Sequence, residues 1–272
     1  MSRKFRFDSE DIVFVHWYNE IPTDITLHTH DISEIIYVKK GDISYMVEGK
    51  IFRPVKNSLI FTRPMENHAI LFNSQLPYER YTLLFNEKKL VSDIYQHISP
   101  DTVLLHFESD TLILEIFKRM EYYYENFEGA QLQTLLMHLT EELLYNIVLA
   151  SQNTNQSAVY TSDPVLQHAL EYIEQHISTP LSLEMICSEL FISKSHLHHL
   201  FVKHLKLSPQ KYILTKRMAV AQRALRSGRK PTEVYTECGF SEYSTFFRAY
   251  RKYFGHAPSE EINTSIVREI PV

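Results

Sequence analysis

The stretch LSLEMICSELFISKSHLHHLFVKH, residues 181–204, decides the fold of the C-terminal half of this chain. Its apolar residues recur at helical spacing on both sides of Phe191-Ile192-Ser193, which predicts two helices joined by a turn. Ser182 and Ser193 can cap the first amide groups of these helices. The outward residues of the second helix are expected to be Lys194, Ser195, His198, His199 and Lys203. Such a face enters the DNA major groove in helix-turn-helix proteins, although a plain helical hairpin has the same pattern.

A second pair of helices with the same organisation follows. Thr232–Cys238 predicts a short helix, Gly239-Phe240-Ser241 a turn and Ser244–Tyr253 a second helix. Cap and stop signals between the two pairs bound a predicted helix at Pro209–Ser227, which is 19 residues or about 28 Å long. Successive major-groove segments on one face of DNA are about 34 Å apart. A rigid helix of this length would let one chain read two of them.

Three motifs of this half resemble the DNA-binding domain of AraC/XylS-type transcription regulators: SLEMICSELFISKSHLHHLFVK, YILTKRMAVAQRAL and GFSEYSTFFRAYRKYFGHAPSE. The resemblance covers residues 164–262 and implies an all-α domain that binds double-stranded DNA through two helix-turn-helix motifs. The chain departs from the family pattern at Tyr235, where a small residue is usual, and at Pro231, where an apolar aliphatic residue is common. Lys206 replaces a frequent turn glycine, so a positive φ there would cost some conformational energy.

The outward residues of the two motifs divide into two roles. Contacts to base edges are assigned to Ser195, His198, His199, Ser244, Thr245 and Arg248. Contacts to phosphates, which fix register without reading sequence, are assigned to Lys194, Lys203, Arg251 and Lys252. Among these residues, Arg248 is expected to bind a guanine through a bidentate hydrogen bond to O6 and N7.

Charge is distributed unevenly along the chain. Residues 1–163 carry 14 Lys and Arg against 23 Asp and Glu, whereas residues 164–272 carry 14 against 10. Within residues 191–256, 13 basic residues face only three acidic ones. Basic charge concentrated on the predicted reading helices and the helix between them indicates a phosphate-binding surface.

The N-terminal part has the pattern of an all-β sandwich or barrel. Short β-rich runs alternate with turn signals at Lys40-Gly41-Asp42 and Glu48-Gly49-Lys50. The predicted strands are Ile12–Trp17, Ile32–Lys39, Ile43–Val47, Ser58–Thr62, Ala69–Phe72 and Arg80–Phe85. We assign residues 1–88 to this domain. The arm at Arg3–Phe7 could cover a pocket, touch the DNA-binding domain or remain a frayed end.

The spacing HxHxxxExxxxxxG from His28 to Gly41 resembles the first motif of the cupin barrel, and Pro64 and His68 resemble part of the second. That resemblance implies a divalent metal held by His28, His30, Glu34 and His68, which suits Zn, Fe, Mn or Ni. AraC-type sensor domains mostly lack a metal, so no metal is favoured and these residues are expected to line a ligand pocket. A sugar or another small polar ligand fits better. The pocket residues are expected to be Trp17, His28, His30, Glu34, Tyr37, Tyr45, Arg53 and His68.

Residues 89–150 change to helical periodicity. After Gly129, a wide leucine-rich stripe covers Gln131–Ala150 and must be buried. The stripe could pack on the barrel of its own chain. We favour a homodimer through this segment, as the family resemblance implies, because the stripe looks wider than one packing face needs. Residues 151–163 are polar and aperiodic, which predicts a linker before the DNA-binding domain at 164–272.

These patterns predict an α+β multidomain chain: a cupin-like β-barrel, a helical dimerisation segment and an all-α domain with two helix-turn-helix motifs. Two cysteines, no apolar run of bilayer length and no signal-like start predict a cytoplasmic protein. We expect a ligand-responsive transcription activator that would also contact RNA polymerase, and not an enzyme. The alternative is a metal-dependent cupin enzyme with an appended DNA-binding domain, supported only by His28, His30, Glu34 and His68.

Overall fold

The computed structural model describes residues 2–30, 32–107, 112–153 and 163–263. Within them, an N-terminal unit of strands and two long helices precedes an all-helical C-terminal unit, which confirms the predicted fold class. The strands are β1 (Ser2–Asp8), β2 (Ile12–Asn19), β3 (Ile25–His28), β4 (Ser33–Lys40), β5 (Ile43–Val47), β6 (Lys50–Phe52), β7 (Ser58–Thr62), β8 (His68–Phe72), β9 (Tyr78–Phe85) and β10 (Leu104–His106). Short 3-10 helices lie at Glu87–Lys89, Ile94–His97 and Pro258–Asn263.

The strands form two antiparallel sheets. The six-stranded sheet has the order β1-β2-β9-β4-β7-β10, and the four-stranded sheet has the order β3-β8-β5-β6. Side chains alternate between the two faces of each strand. The apolar inner residues Ile36, Val38, Tyr45, Ile60 and Ile70 therefore meet in one core between the sheets.

Two strands lie where the sequence predicted something else. The N-terminal arm is the edge strand β1, which pairs with β2 through Arg6 and Val15 among others, so the arm is part of the sheet and not a frayed end. Strand β10 lies in the segment predicted as helical and pairs with β7 through Leu104 and Ile60. The sheet thus extends beyond residue 88. The sequence did not predict β10 because a strand of three residues is too short to show an alternating pattern. Most of the predicted linker, residues 154–162, and residues 264–272 lie outside the described residues.

Helices α1 (Leu112–Asn126) and α2 (Gly129–Asn153) pack on the outer face of the six-stranded sheet. They form an antiparallel pair in which Arg119 and Glu142 make a salt bridge of 2.5 Å. The leucine-rich stripe of α2 is buried in this core through Leu132, Leu136, Leu139, Leu143, Leu144 and Ile147. The stripe therefore packs on its own chain, and its width is explained by the sheet and α1 together. The width of the stripe is therefore no evidence for a dimer interface.

The C-terminal unit contains six α-helices among the described residues. They are α3 (Pro164–His176), α4 (Leu183–Leu190), α5 (Lys194–Leu205), α6 (Pro209–Arg226), α7 (Pro231–Glu237) and α8 (Tyr243–Phe254). Ser182 and Ser193 cap α4 and α5 as predicted, and Ser208 caps α6. Helix α7 begins at Pro231, where proline's missing N–H costs nothing. Lys206 ends α5 with a φ of 55°, in the predicted left-handed conformation.

The two units share a continuous apolar core. The outer face of the four-stranded sheet contributes Met46 and Ala69, which join Leu170 of α3 and Tyr212 of α6 in one buried cluster. The β5–β6 turn packs closely against α3 at Gly49, which has a φ of 78°. A side chain at this position would place its Cβ atom 3.3 Å from the Cβ atom of Leu170. Within the described ranges, every helix is too short or too polar to cross a membrane.

Candidate DNA interface and ligand site

Helix α5 presents the predicted polar face to solvent. Leu197, Leu200, Phe201 and Leu205 are buried, whereas Ser195, His198 and His199 are exposed on the opposite side. Lys194 is also exposed, and its ammonium group forms a salt bridge with Glu184 of α4. This pair holds the pKa of the Glu184 carboxyl below its usual value. The exposed face therefore offers a hydroxyl and two imidazoles next to a cation that is already paired.

Lys203 lies at the other end of α5, where this helix faces the N-terminal unit. With Lys206 and Arg53 it lines a cleft of about 480 Å³ between the two units. In the described part of the chain these three cations make no ion pair. Burial, and next the charge of Lys203, lower the pKa of His204 in the same cleft. Arg53 is thus on the outer face of the barrel, and its predicted place in the pocket is wrong.

Helix α8 exposes the second set of predicted contacts. Phe246 and Tyr250 anchor it in the core of the second motif, and the exposed residues are Ser244, Thr245, Arg248, Arg251 and Lys252. Among the described residues the cations of this helix form no salt bridge. They are available to bases and phosphates.

A buried carboxylate that sequence reasoning missed holds the second motif together. Glu261 accepts hydrogen bonds from Gln222 at 2.9 Å, from Arg226 at 2.7 Å and from the Tyr250 hydroxyl at 2.5 Å. Burial would raise the pKa of Glu261, but these hydrogen bonds outweigh it and the pKa is lowered. Glu261 therefore links the spacer helix α6 to the reading helix α8.

Between the two sheets, the structure brings together the predicted histidines and Glu34. His28 and His68 face each other across β3 and β8, and one ring nitrogen of each of His28, His30 and His68 lies within 4.8 Å of the others. The Glu34 Oε2 atom lies 3.2 Å from His68 Nε2 and 3.6 Å from His30 Nε2. The grouping of these four residues agrees with their predicted shared site.

The protonation of two of these rings is fixed by their backbone partners. The Nδ1 atoms of His30 and His68 lie 2.7 and 2.8 Å from the carbonyl oxygens of Ile32 and Glu66. A carbonyl only accepts, so both Nδ1 atoms carry hydrogen. A neutral ring then presents a lone pair at Nε2 toward the Glu34 carboxylate, and a proton or a metal ion must lie between them.

This arrangement fits a divalent metal. The Nε2 atoms of His30 and His68 and Glu34 Oε2 are buried and have no hydrogen-bond partner in the described residues. Orientation of each ring by a backbone carbonyl is usual for metal-binding histidines. Although burial opposes it, the close approach of His30 and His68 keeps the pKa of Glu34 well below its ordinary value, which favours its ionised form.

The remaining pocket residues divide between the two faces of the sheet. Trp17 and Tyr45 lie on inner faces, and Tyr45 shares a hydrogen bond of 2.6 Å with Thr62. Tyr37 lies on the outer face, where its ring is 5.4 Å from that of Phe117 in α1. Its predicted place in the pocket is wrong because Glu34 points inward and the side chains of β4 alternate.

The inner face also carries an arginine that the sequence analysis did not identify. Arg80 pairs with Trp17 across β9 and β2 and is 4% exposed. Its guanidinium lies over the rings of Trp17 at 5.9 Å and Tyr78 at 5.6 Å. The alternation of Tyr78, Arg80, Thr82 and Leu84 could have placed Arg80 inside, because Leu84 is an expected core residue.

Comparison with known families matches both halves of this architecture. An AraC-like ligand binding domain matches residues 21–148, and a Helix-turn-helix domain matches residues 186–263. This chain belongs to the AraC family of transcription regulators. It is therefore a ligand-responsive regulator that binds DNA, in agreement with the exposed faces of α5 and α8.

The relatives of this AraC-family regulator are themselves named as transcription regulators. The activator RhaS of Escherichia fergusonii is 24% identical over 245 residues, which cover 86% of each chain. YfiF, an uncharacterized regulator of Bacillus subtilis, is 24% identical over 93% of this chain and 84% of its own. LumQ of Photobacterium leiognathi, a probable regulator, is 34% identical, but the match covers only 32% of this chain and 36% of LumQ.

Two solved structures also align with this chain. ToxT from Vibrio cholerae aligns over 94% of this chain and 98% of its own, with 12% identity and a TM-score of 0.37. An AraC-type regulator from Chromobacterium violaceum aligns over 38% of this chain and 92% of its own, with 32% identity and a TM-score of 0.35.

Proposed function

We propose that this AraC-family regulator activates transcription when a small molecule binds between the two sheets of its N-terminal domain. The name of its relative RhaS supports activation, and an activator of this kind would contact RNA polymerase. The observation that carries the proposal is the position of β8. His68 at the start of this strand lies in the inner site, and the loop before it contacts the DNA-binding domain.

The contacts of that loop are specific. The backbone N–H and the side-chain amide of Asn67 donate to Glu48 Oε1 at 2.6 and 3.1 Å, and Glu48 in turn binds Lys216 of α6. The Met65 carbonyl accepts a hydrogen bond of 3.1 Å from Arg223, also in α6. A ligand that moves His68 would therefore displace groups that hold the spacer helix between the two motifs.

Such a ligand acts as a switch only if it binds two domain arrangements with different affinities. One arrangement keeps the loop on α6, and the other releases it. In the DNA-bound state, Ser195, His198 and His199 of α5 and Ser244, Thr245 and Arg248 of α8 contact base edges. Phosphates are bound by Arg251 and Lys252, while Lys194 must first leave Glu184 and Lys203 must leave the cleft between the domains.

The test is DNA binding by the full chain with and without candidate ligands. Fluorescence anisotropy on promoter fragments should show affinity that falls steeply with salt and changes when a sugar or other small polar ligand is added. Arg223→Met, which removes the donor to the Met65 carbonyl, should leave ligand binding intact and alter the ligand's effect on DNA affinity. Equal DNA affinity with and without a ligand that measurably binds the protein would contradict the proposal.

We further propose that His28, His30, His68 and Glu34 hold a divalent metal as part of the sensor. When bound, such a metal supplies a positive centre for oxygen atoms of a ligand. The purified full chain should bind cobalt(II) with visible absorption, and His68→Gln should abolish this while the exposed His97→Gln leaves it unchanged. If the two variants bind cobalt equally, these residues form an ordinary polar pocket. Turnover of a small-molecule substrate by the metal-loaded chain would favour the enzyme alternative.

A further inference from the structure

The inner face of β2 and β9 carries a second group of polar atoms, separate from the histidines. Trp17 pairs with Arg80, Asn19 pairs with Tyr78, and the next inner position of β9 is Thr82. Four atoms on this face are buried and have no hydrogen-bond partner in the described residues: Trp17 Nε1, Asn19 Oδ1, Arg80 Nε and Thr82 Oγ1. The Tyr78 hydroxyl is buried beside them and interacts with the Arg80 guanidinium. Buried polar groups are normally hydrogen-bonded, so this many on two neighbouring strands indicate a missing partner.

Most of these atoms can donate a hydrogen bond. Indole and guanidinium nitrogens only donate, and hydroxyl groups can do so. One of the groups is also charged, since an arginine stays protonated in proteins. Within the described ranges Arg80 has no carboxylate within 4.0 Å, the distance limit for a salt bridge, although it is 4% exposed. A guanidinium buried without an anion is unfavourable.

Within the described ranges, the carboxylate of Glu34 on the same inner surface is engaged elsewhere. Glu34 lies on β4 opposite Leu84, two inner positions along β9 from Arg80, and it contacts His30 and His68. Tyr45 lies between the two groups: its ring is 6.0 Å from that of His68, and its pKa, which burial chiefly raises, is affected by the charges of both Glu34 and Arg80. The interior thus has an acidic end with imidazoles and a cationic end that lacks an anion.

We propose that the inner face of β2 and β9 binds a small organic molecule through a carboxylate or phosphate group, with Arg80 as its counter-ion. The anion accepts hydrogen bonds from the guanidinium, for which a bidentate arrangement is favourable. The rings of Trp17 and Tyr78 contact the body of the molecule, and Thr82 donates to it. This inference rests on the proposed function, in which the interior is the sensor site, and it names the effector as an acid rather than a neutral sugar.

The competing explanation is that Arg80 is satisfied by its two aromatic neighbours and by water. A guanidinium over aromatic rings is stabilised by cation–π attraction. In that case Arg80 is a structural residue, and anions have no special effect on the protein. The two explanations differ in what happens when Arg80 is replaced by methionine, which has a similar length and no charge.

The experiment compares thermal unfolding of the full chain, of Arg80→Met and of Lys56→Met, which removes an exposed cation in the loop between β6 and β7. Each protein is titrated with sodium phosphate and, separately, with sodium acetate, against sodium chloride at equal ionic strength. We expect phosphate or acetate to raise the Tm of the unmodified chain saturably, by about 3–6 °C at ten times Kd. Lys56→Met should show the same rise in Tm as the unmodified chain, and Arg80→Met should show none. The anion that acts distinguishes a phosphate from a carboxylate effector.

Without added anion, Arg80→Met should have a Tm at least as high as the unmodified chain, because it removes an unpaired buried charge. A lower Tm together with equal anion responses in the unmodified chain and Arg80→Met would overturn the proposal in favour of the structural role. Promoter affinity measured on the same proteins distinguishes a failure of the proposed regulator function from a failure of the anionic-ligand inference. If Arg80→Met binds DNA normally but anions act equally on both proteins, only the anionic-ligand inference fails.

Discussion

The ammonium group of Lys216 lies against the carboxylate of Glu48, which joins the spacer helix α6 of the DNA-binding domain to the β5–β6 turn of the sensor domain. The Lys216 side chain is 3% exposed, and its second partner is Glu174 of α3 at 2.7 Å. Burial alone would raise the pKa of Glu48, yet the nearby charge of Lys216 lowers it. This contact lies beside the loop that leads to His68.

Glu48→Gln should weaken the contact between the two domains. The amide keeps the shape of the side chain and can still accept from Asn67, but Lys216 loses one of its two anions in a buried position. We expect a loss of about 1–3 kcal/mol in the free energy of unfolding and a smaller effect of ligand on DNA affinity. Glu174→Gln is the control and should cost less than about 1 kcal/mol, since that carboxylate is half exposed. If Glu48→Gln lowers the free energy of unfolding no more than Glu174→Gln does, the Glu48–Lys216 contact does not hold the two domains together.

Glu261→Gln should destabilise the second motif in a pH-dependent way. Because the pKa of Glu261 is lowered in the folded state, its ionised form stabilises the fold. This contribution is complete above the ordinary glutamate pKa of about 4.3 and disappears as the pH falls through the lowered value. At pH 7 the variant should lose about 2–4 kcal/mol. Chemical unfolding of the variant and the unmodified chain at pH 7 and below pH 4 measures the difference in their free energies of unfolding with Glu261 ionised and with Glu261 protonated.

The difference in free energy of unfolding between Glu261→Gln and the unmodified chain should therefore shrink as the pH falls below about 4. Glu242→Gln, at an exposed position before α8, should show no such difference at either pH. A difference for Glu261→Gln that stays constant from pH 7 to pH 3 would mean that the charge of this carboxylate is irrelevant.

Arg248→Ala should cost about 1–3 kcal/mol on the cognate DNA site and relax the preference at one base pair. The reason is the loss of a bidentate contact to a guanine. Lys252→Ala is the matched control on the same helix: it should weaken binding to all sequences alike and reduce the salt dependence by about one ion. Competition assays with cognate and scrambled duplexes distinguish the two. Equal losses on both duplexes for Arg248→Ala would show that it binds phosphate.

Homodimerisation, if it uses α1 and α2, must involve their solvent-exposed side, because the buried stripe is covered. Leu112, Tyr145 and Leu149 are about half exposed there. Leu112 lies about two turns before Arg119 in α1, and Tyr145 and Leu149 lie about one and two turns after Glu142 in α2. We propose this face as the dimer contact. Leu149→Glu should shift sedimentation toward the monomer, whereas Val91→Glu, at an exposed loop position, should not. A monomeric unmodified chain at micromolar concentration would rule the contact out.

Sequence reasoning predicted the helical half well because its signals are local. The capping serines, Pro209, the left-handed Lys206 and the inward leucines of α5 each depend on residues within one or two turns. The same kind of signal fixed the turn at Glu48-Gly49, where both residues have positive φ.

The barrel was harder because its site depends on which face each strand turns inward. His28, His30 and Glu34 belong to one motif and His68 to a second, and the cupin resemblance predicts that the four lie together. Tyr37 and Arg53 were assigned to the pocket by residue type alone, and Arg80 was missed although it lies on the inner face. The α2 stripe shows the same limit: its periodicity predicts burial, but it does not say which surface covers it.

The most direct test of the account is selection of bound sequences from a random duplex pool by the full chain. Two motifs held by one spacer helix should enrich two short sequences whose centres lie about one helical turn apart, near 10 base pairs. Repeating the selection with Arg248→Ala should relax only one of the two. Enrichment of a single short sequence, or of none, would contradict the claim that α5 and α8 read successive segments of the major groove.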